Sequence, residues 1–283
     1  MASLPHSNLK QIRKEFILKI LFLGDIVGEA GRAIVKRFVP RLREKHNLDI
    51  VIANNENMAG GFGITQETYL EISQAGVDVM TGGNHSFDKK EGVAVYQEET
   101  NIVRPANFPK NTPGRGYLIH STTKGLKLGV INVMGRVFME PLDCPFQAAE
   151  DAYAEIRKVT PNILIDVHAE ATSEKAAMAW HFDGRASFVV GTHTHVQTAD
   201  ERILPNGTAF LSDAGMCGPY DSIIGMRKDI ILQKFITRRG KKFEVAQNDA
   251  WLTGAIVEID EATGRALNIE RIRVENDRAS THP

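Results

Sequence analysis

Short, almost unbroken apolar runs alternate along this chain with stretches in which apolar residues recur every three or four positions. The runs fall at 20–25 (ILFLGD), 49–54, 77–82, 129–134, 162–168 and 187–193. A half-exposed strand would alternate apolar with polar residues, so continuous runs predict strands covered on both faces. Residues 30–46 set Ile34, Val35, Phe38, Val39 and Leu42 at helical spacing, and Pro40 is expected to kink or interrupt that helix. Further amphipathic helices are predicted at 65–75, 88–99, 146–159 and 172–182. Residues 101–134, poor in helix formers, read as a strand-rich insert or as the second half of the sheet. Residues 241–276 read as a β-hairpin turning at Ala262-Thr263-Gly264. Strand–helix alternation predicts a layered α/β fold with a largely parallel or mixed sheet. One domain is expected over 18–276, with an extension at 1–17 and a tail at 277–283.

Composition narrows the partners. Of 283 residues 42% are hydrophobic and 24% charged, ordinary for a chain that buries a real core. Lys and Arg (34) nearly cancel Asp and Glu (35), so no global basic field exists to hold a long nucleic acid. No run approaches the roughly 18 apolar residues of a membrane span, and the N-terminus lacks the apolar core of a secretory signal. Two cysteines, Cys144 and Cys217, exclude a disulfide framework and a thiolate-rich zinc site. A reducing, cytoplasmic setting is expected.

The informative feature is where each apolar run stops. The runs deliver Asp25, then Glu56 and Asn57, then Asn84 and His85, then His168, and last His193 and His195. In α/β sheets the carboxyl ends of strands converge on a ligand-binding crevice. Carboxylates, amides and imidazoles without thiols suit manganese, iron or zinc. His193 and His195 are two apart, which on an extended strand puts both rings on one face. Six such ligands overfill one cation, whereas two cations sharing a carboxylate need about that number. Two-metal hydrolytic sites clamp both the attacking and the leaving oxygen of an in-line displacement. With Asp25, Glu56 and one hydroxide, such a pair retains about one positive charge, enough to attract a singly anionic phosphodiester. Blander readings stay open for single residues: Asp25 or Asp88 as a helix cap, and Gly60–Gly63 as an ordinary turn.

The segments GD (24–25), GGNH (82–85), VH (167–168) and GTHTH (191–195) resemble the ordered signature blocks of calcineurin-like metallophosphoesterases. GDIVGEAGR (24–32), ANNENMAGGFGIT (53–65), GGNHSFD (82–88) and DAGMCGPYDSIIGM (213–226) are more closely similar to the YmdB-like phosphodiesterases, over about residues 18 to 260. The resemblance implies a four-layer α/β/β/α sandwich with mixed sheets, a dinuclear centre of iron or manganese with zinc also admissible, and hydrolysis of 2′,3′-cyclic nucleotides and related small phosphodiesters. It also implies a homo-oligomer. Carried over by motif, Glu56 bridges the metals, Asp25 and His195 hold one, and Asn84, His168 and His193 hold the other. The wider superfamily has a histidine where this chain has Val27, and Asn57 is the candidate replacement ligand or a contact to substrate phosphate. Asn55 stands where the YmdB-like block usually has glycine; if a positive φ is needed there, asparagine is the next most tolerant residue.

The expected reaction is attack on phosphorus by a metal-bridging hydroxide, with His85 as general acid to the leaving ribose oxygen. Asp88 would orient His85. Gly60, Gly61 and Phe62 are the expected substrate-binding residues, the glycines offering free backbone N–H groups to phosphate and Phe62 a surface for a base. Cys217 and Tyr220 are expected near the pocket entrance. The competing expectation is a regulatory protein that senses a nucleotide in the same pocket, with turnover incidental.

Overall fold

The computed structural model describes residues 17–240 and 242–276. The expected extension and tail lie outside the described residues, except that Ile17 opens the first strand.

Fourteen strands and six helices follow one another along the described residues. The first half runs β1 (Ile17–Leu23), β2 (Asp25–Ile26), α1 (Gly28–His46), β3 (Ile50–Asn54), α2 (Gln66–Gln74), β4 (Val79–Thr81), α3 (Lys90–Glu98) and β5 (Ile102–Val103). The middle holds β6 (Tyr117–Ser121), β7 (Lys127–Met134), α4 (Pro145–Ile156), β8 (Ile163–His168), α5 (Thr172–His181) and β9 (Phe188–Thr192). Then come β10 (Arg202–Ile203), β11 (Ala209–Leu211), β12 (Met216–Pro219), α6 (Lys228–Thr237), β13 (Ala250–Asp260) and β14 (Ala266–Glu275).

The apolar runs are strands, but they build two sheets. The first has the order β2-β12-β13-β1-β3-β4-β5, with β14 pairing β13; the second has the order β10-β11-β9-β8-β7-β6. Both are mixed: β1 is parallel to β3 and antiparallel to β13, and β7 is parallel to β8 and antiparallel to β6. The sheets face one another across a dry layer that joins Ile20, Phe22 and Ile52 to Val130, Leu164 and Val190. Phe22 meets Phe188 edge-on there, with ring centroids 6.4 Å apart. The outer face of the first sheet is covered by α1 through Ile34, Val35 and Val39, with α2 and α3 beside it. The outer face of the second is covered by α4 and α5 through Ala149, Ala152, Ile156 and Met178. This is the expected α/β/β/α sandwich. Because the strands that carry the apolar runs are buried on both faces, they had no need to alternate.

Three expectations change. Pro40 does not break α1: it lies on the exposed face, so the carbonyl it frees faces water while the apolar stripe stays on the sheet. The C-terminal hairpin begins at Ala250 rather than near 241, pairing Trp251 with Glu275 through Ile259 with Ala266; residues 242–249 are not part of it. The helix α6 was not anticipated, because only Ile230 and Ile231 of its apolar residues are buried and no single stripe marks it. Among the described residues, no helix is long and apolar enough to cross a membrane.

Candidate metal centre

The carboxyl ends of β1, β3, β4, β8 and β9 meet where the two sheets adjoin. Asp25 follows β1 after Gly24, whose backbone packs so tightly on the Gly215 carbonyl that a Cβ there would lie 2.1 Å from its oxygen. Its carboxylate is fully buried. Oδ2 accepts the His193 backbone N–H at 3.1 Å, and Oδ1 has no partner. Glu56 follows β3, its N–H held by Asn54 Oδ1, and Glu56 Oε2 accepts the His85 N–H at 2.8 Å. Its other oxygen, Oε1, lies 3.1 Å from His168 Nε2.

His168 Nε2 is the focus of the cluster. Glu56 Oε1, Asn84 Oδ1 at 3.0 Å and His193 Nδ1 at 3.1 Å all surround it. The outward nitrogen of each histidine meets an acceptor, which points the inward nitrogen at the centre of the cluster, where its lone pair is available to a cation once any proton there has left. His168 Nδ1–H donates to Thr192 Oγ1, whose hydroxyl donates to Asp166. His193 Nε2 lies 3.2 Å from Glu170 Oε2. His195 Nδ1–H donates to the Ile224 carbonyl at 2.9 Å.

Donor atoms of Glu56, His168 and His193 lie within 4.8 Å of one another. One proton on His168 Nε2 can serve only one of its three neighbours, whereas a cation serves all four. The unpartnered Asp25 Oδ1 and Asn57 Oδ1, both buried, want the same. A Cβ on Gly83 would lie 2.3 Å from Glu56 Oε2 and 2.4 Å from His168 Nε2, so only glycine lets the backbone come this close. The donors fit metal.

Electrostatics agree. Burial opposes ionisation of Glu56, but His168 and His85 outweigh it and bring the carboxyl down to about 2. Burial would discharge His168, yet Glu56, Asp25 and Asp166 push it up to about 9. Burial and then the neighbouring His168 cation hold His193 down to about 3. Burial raises Asp25 against the pull of His195 and His168. These charges therefore favour keeping at least the His168 proton where a metal would sit.

A cavity of about 620 Å³ opens beside these donors, lined on this side by Glu56, Asn57, Phe62, His85, His193 and His195. His85 Nδ1 is 2.8 Å from Asp88 Oδ2; the cap of α3 is Lys89, so Asp88 serves His85 and not the helix. Phe62 meets the His85 ring edge-on at 4.9 Å. A larger surface cleft of about 890 Å³ along α4 contains none of these donors.

Several details differ from expectation. His193 and His195 lie beyond β9 with φ of 99° and 65°, so they are not alternate residues of an extended strand. Thr194 between them is captured by Asp213 through both its N–H and its hydroxyl, and Asp213 is in turn paired with buried Lys175 at 2.7 Å. The N–H groups of Gly60, Gly61 and Gly63 are not free for phosphate: they close the loop on Met58, Asn57 and Glu56 carbonyls. The backbone of Asn55 is not left-handed, and its side chain accepts the Tyr96 hydroxyl at 3.1 Å, so asparagine fits without strain. Val27 packs on Gly218 and Gly225, filling the place of the missing histidine with apolar contact. Cys217 is a buried packing residue whose thiol burial pushes up to about 12, and Tyr220 stacks on Trp251 away from this cavity. Sequence reasoning missed Asp166, Thr192, Glu170, Asp213 and Lys175. Asp166 alone left a signal, a carboxylate inside the apolar run ILIDVH.

Two mixed sheets face to face between helices, with nitrogen and oxygen donors gathered at the strand ends, define a protein of the metallophosphoesterase type. The chain belongs to the YmdB-like protein family, whose profile matches residues 21–272. It is 50% identical over 260 residues to the 2′,3′-cyclic-nucleotide 2′-phosphodiesterase of Bacillus subtilis, covering 92% of this chain and 98% of that one. Among solved structures, a hypothetical protein from Thermus thermophilus matches with TM-score 0.86 and 41% identity, over 92% of this chain and 100% of that one. A novel phosphatase from Mycoplasma pneumoniae matches with TM-score 0.86 and 35% identity, over 93% and 95%.

Proposed function

We propose that residues 18–276 form one metal-dependent phosphodiesterase domain that opens the ring of 2′,3′-cyclic nucleotides. The observation that carries this reading is the crowding of three further donor atoms around His168 Nε2, with Asp25 Oδ1 buried and unpartnered alongside. Glu56 would be shared between two ions, Asp25 and His195 would hold one, and Asn84, His168 and His193 the other. Asn57 belongs with the metal ligands. One N–H of its Nδ2 donates to the Gly61 carbonyl at 2.9 Å, and its buried Oδ1 is an acceptor without a hydrogen bond, which suits a cation. When bound, two iron, manganese or zinc ions supply Lewis-acid charge and make a water acidic enough to act as nucleophile near neutral pH.

The protein's own groups handle the leaving side. His85 borders the cavity, and Asp88 accepts the hydrogen bond of its Nδ1–H. That leaves Nε2 to carry the mobile proton. As the P–O2′ bond breaks, His85 Nε2–H delivers its proton to the departing ribose oxygen and regains one from solvent, to which the side chain is 30% exposed. A nucleotide sensor would have no use for this acid and its carboxylate partner.

The test is a panel of 2′,3′- and 3′,5′-cyclic nucleotides and aryl phosphates, assayed with manganese, iron and zinc. Preference for the 2′,3′ ring, abolished by chelator and by Glu56→Gln, is the expected result. Hydrolysis that survives both treatments would contradict the reading.

A further inference from the structure

The far side of the 620 Å³ cavity is a wall that the reaction above does not use. It is built from the loop 223–227, from α6 and from Phe243: Ile223, Ile224, Met226, Ile231, Phe235 and Phe243 all border the same space as the donor residues. The segment is tied down at several points. Met226 bridges both Ile223 and Val245, the Arg227 N–H donates to the Glu244 carbonyl, and the Ala246 N–H donates to the Gly225 carbonyl. It is also registered to the metal centre, because the Ile224 carbonyl holds His195 while the same residue borders the cavity. Across from it stands Phe62, on a loop that packs under the wall at Gly61. With φ of 96°, Gly61 lies so close that a Cβ would meet Val245 at 2.5 Å and Met226 at 3.2 Å.

The chemistry of this half is one-sided. Among the described residues that line it, Lys234 is the one polar side chain, and its ammonium lies over the Phe243 ring at 4.3 Å. This segment contributes no amide, hydroxyl or carboxylate to the lining; the cavity's Glu170 carboxylate is 3.2 Å from His193 Nε2 and its Thr194 hydroxyl donates to Asp213, so both are engaged at the metal side. Three phenyl rings offer faces instead. A phosphate held at the donors places whatever is attached to its ribose on this side.

We propose that the wall of Ile223, Ile224, Met226, Ile231, Phe235 and Phe243, together with Phe62, forms a nucleobase slot that holds the base by stacking and apolar contact without reading its edge. This rests on the proposed hydrolysis of a cyclic nucleotide at the adjoining centre. Stacking a base on an aromatic ring is worth on the order of tenfold or more in affinity and tolerates any base, because every base has a π-face. Sites that pair buried hydrogen-bonding groups with a substrate instead reject the wrong one by about 10⁴.

The metal-replete full chain is assayed on the 2′,3′-cyclic phosphates of adenosine, guanosine, cytidine and uridine, and on the 2′,3′-cyclic phosphate of methyl riboside, which has no base. The expected kcat/KM for the base-less compound is at least about tenfold below that of the nucleotides, and the four nucleotides fall within about tenfold of one another. Phe243→Ala narrows the gap between nucleotides and methyl riboside, whatever it does to either rate alone. Equal kcat/KM with and without a base overturns the slot while leaving the hydrolytic reading intact. So does a spread above about a hundredfold among bases, or a gap that Phe243→Ala leaves unchanged. If neither kind of cyclic phosphate is cleaved, the proposed function fails first and the slot with it.

Discussion

A single nitrogen, His168 Nε2, with three donor atoms about 3 Å away, sets the expected behaviour at the scale of the residue. In the ion-free protein His168 is pushed up to about 9, so below that pH a metal must displace a proton. Glu56, down to about 2, and His193, down to about 3, are already deprotonated near neutrality, whereas burial makes the Asp25 carboxyl hold its proton more tightly, so a cation binding there works against that proton as well. Apparent metal affinity is therefore expected to rise by at least about tenfold per pH unit through the neutral range, with the His168 contribution ending near 9. Calorimetric titration in buffers of different ionisation enthalpy should find at least one proton released per protein; pH-independent affinity would contradict the placement of the His168 proton. His85→Ala is expected to lower kcat by about 10² to 10⁴ while metal content stays that of the wild type. Full turnover by this variant would remove His85 from the reaction. The candidate donors were legible because each ends an apolar run. The groups that aim them were not: Thr192, Glu170 and the Ile224 carbonyl act on histidines in other segments of the chain, and no local pattern records such pairings.

Elements carry the next set of constraints. The loop after β9 holds two non-glycine residues in the left-handed region, a conformation sustained only where the surroundings over-determine it. Here that support is Asp213, which takes both polar hydrogens of Thr194 and is neutralised by Lys175, each side chain only 2% exposed. Lys175→Met would leave the Asp213 carboxylate buried without its cation. The expected loss is about 3–5 kcal/mol of stability in urea unfolding, together with weaker metal binding as His193 and His195 lose their support. A loss below about 1 kcal/mol would show that the pair does not hold the loop. The strands themselves were readable from hydropathy because burial on both faces writes a continuous apolar run. The helix α6 was not, since Leu232 and Ile236 are exposed and Phe235 borders the open cavity, which blurs the kind of stripe that marks α1. The helix α1, by contrast, kept its pattern through Pro40 because the interruption fell on the solvent side.

At the scale of the whole molecule, the two-sheet arrangement is what brings five distant strand ends to one place. Apolar runs announce strands but not partners. The run 20–25 lies between β3, which follows it closely in the chain, and β13, near the far end of the chain, and nothing in its own sequence distinguishes the two neighbours. The layered sandwich was therefore expected from resemblance of motifs, while periodicity alone supported only an α/β fold. The two sheets share an apolar interior that buries Asp25, Glu56 and His168, and the cavity beside them is lined by donor residues on one part of its surface. The central claim is that this junction holds two metal ions with Glu56 between them. Anomalous diffraction from metal-loaded crystals of the wild type and of Glu56→Gln tests it most directly. Two peaks flanking Glu56, with at least one lost in the variant, are predicted; a single peak, or none under metal-replete conditions, would contradict the account.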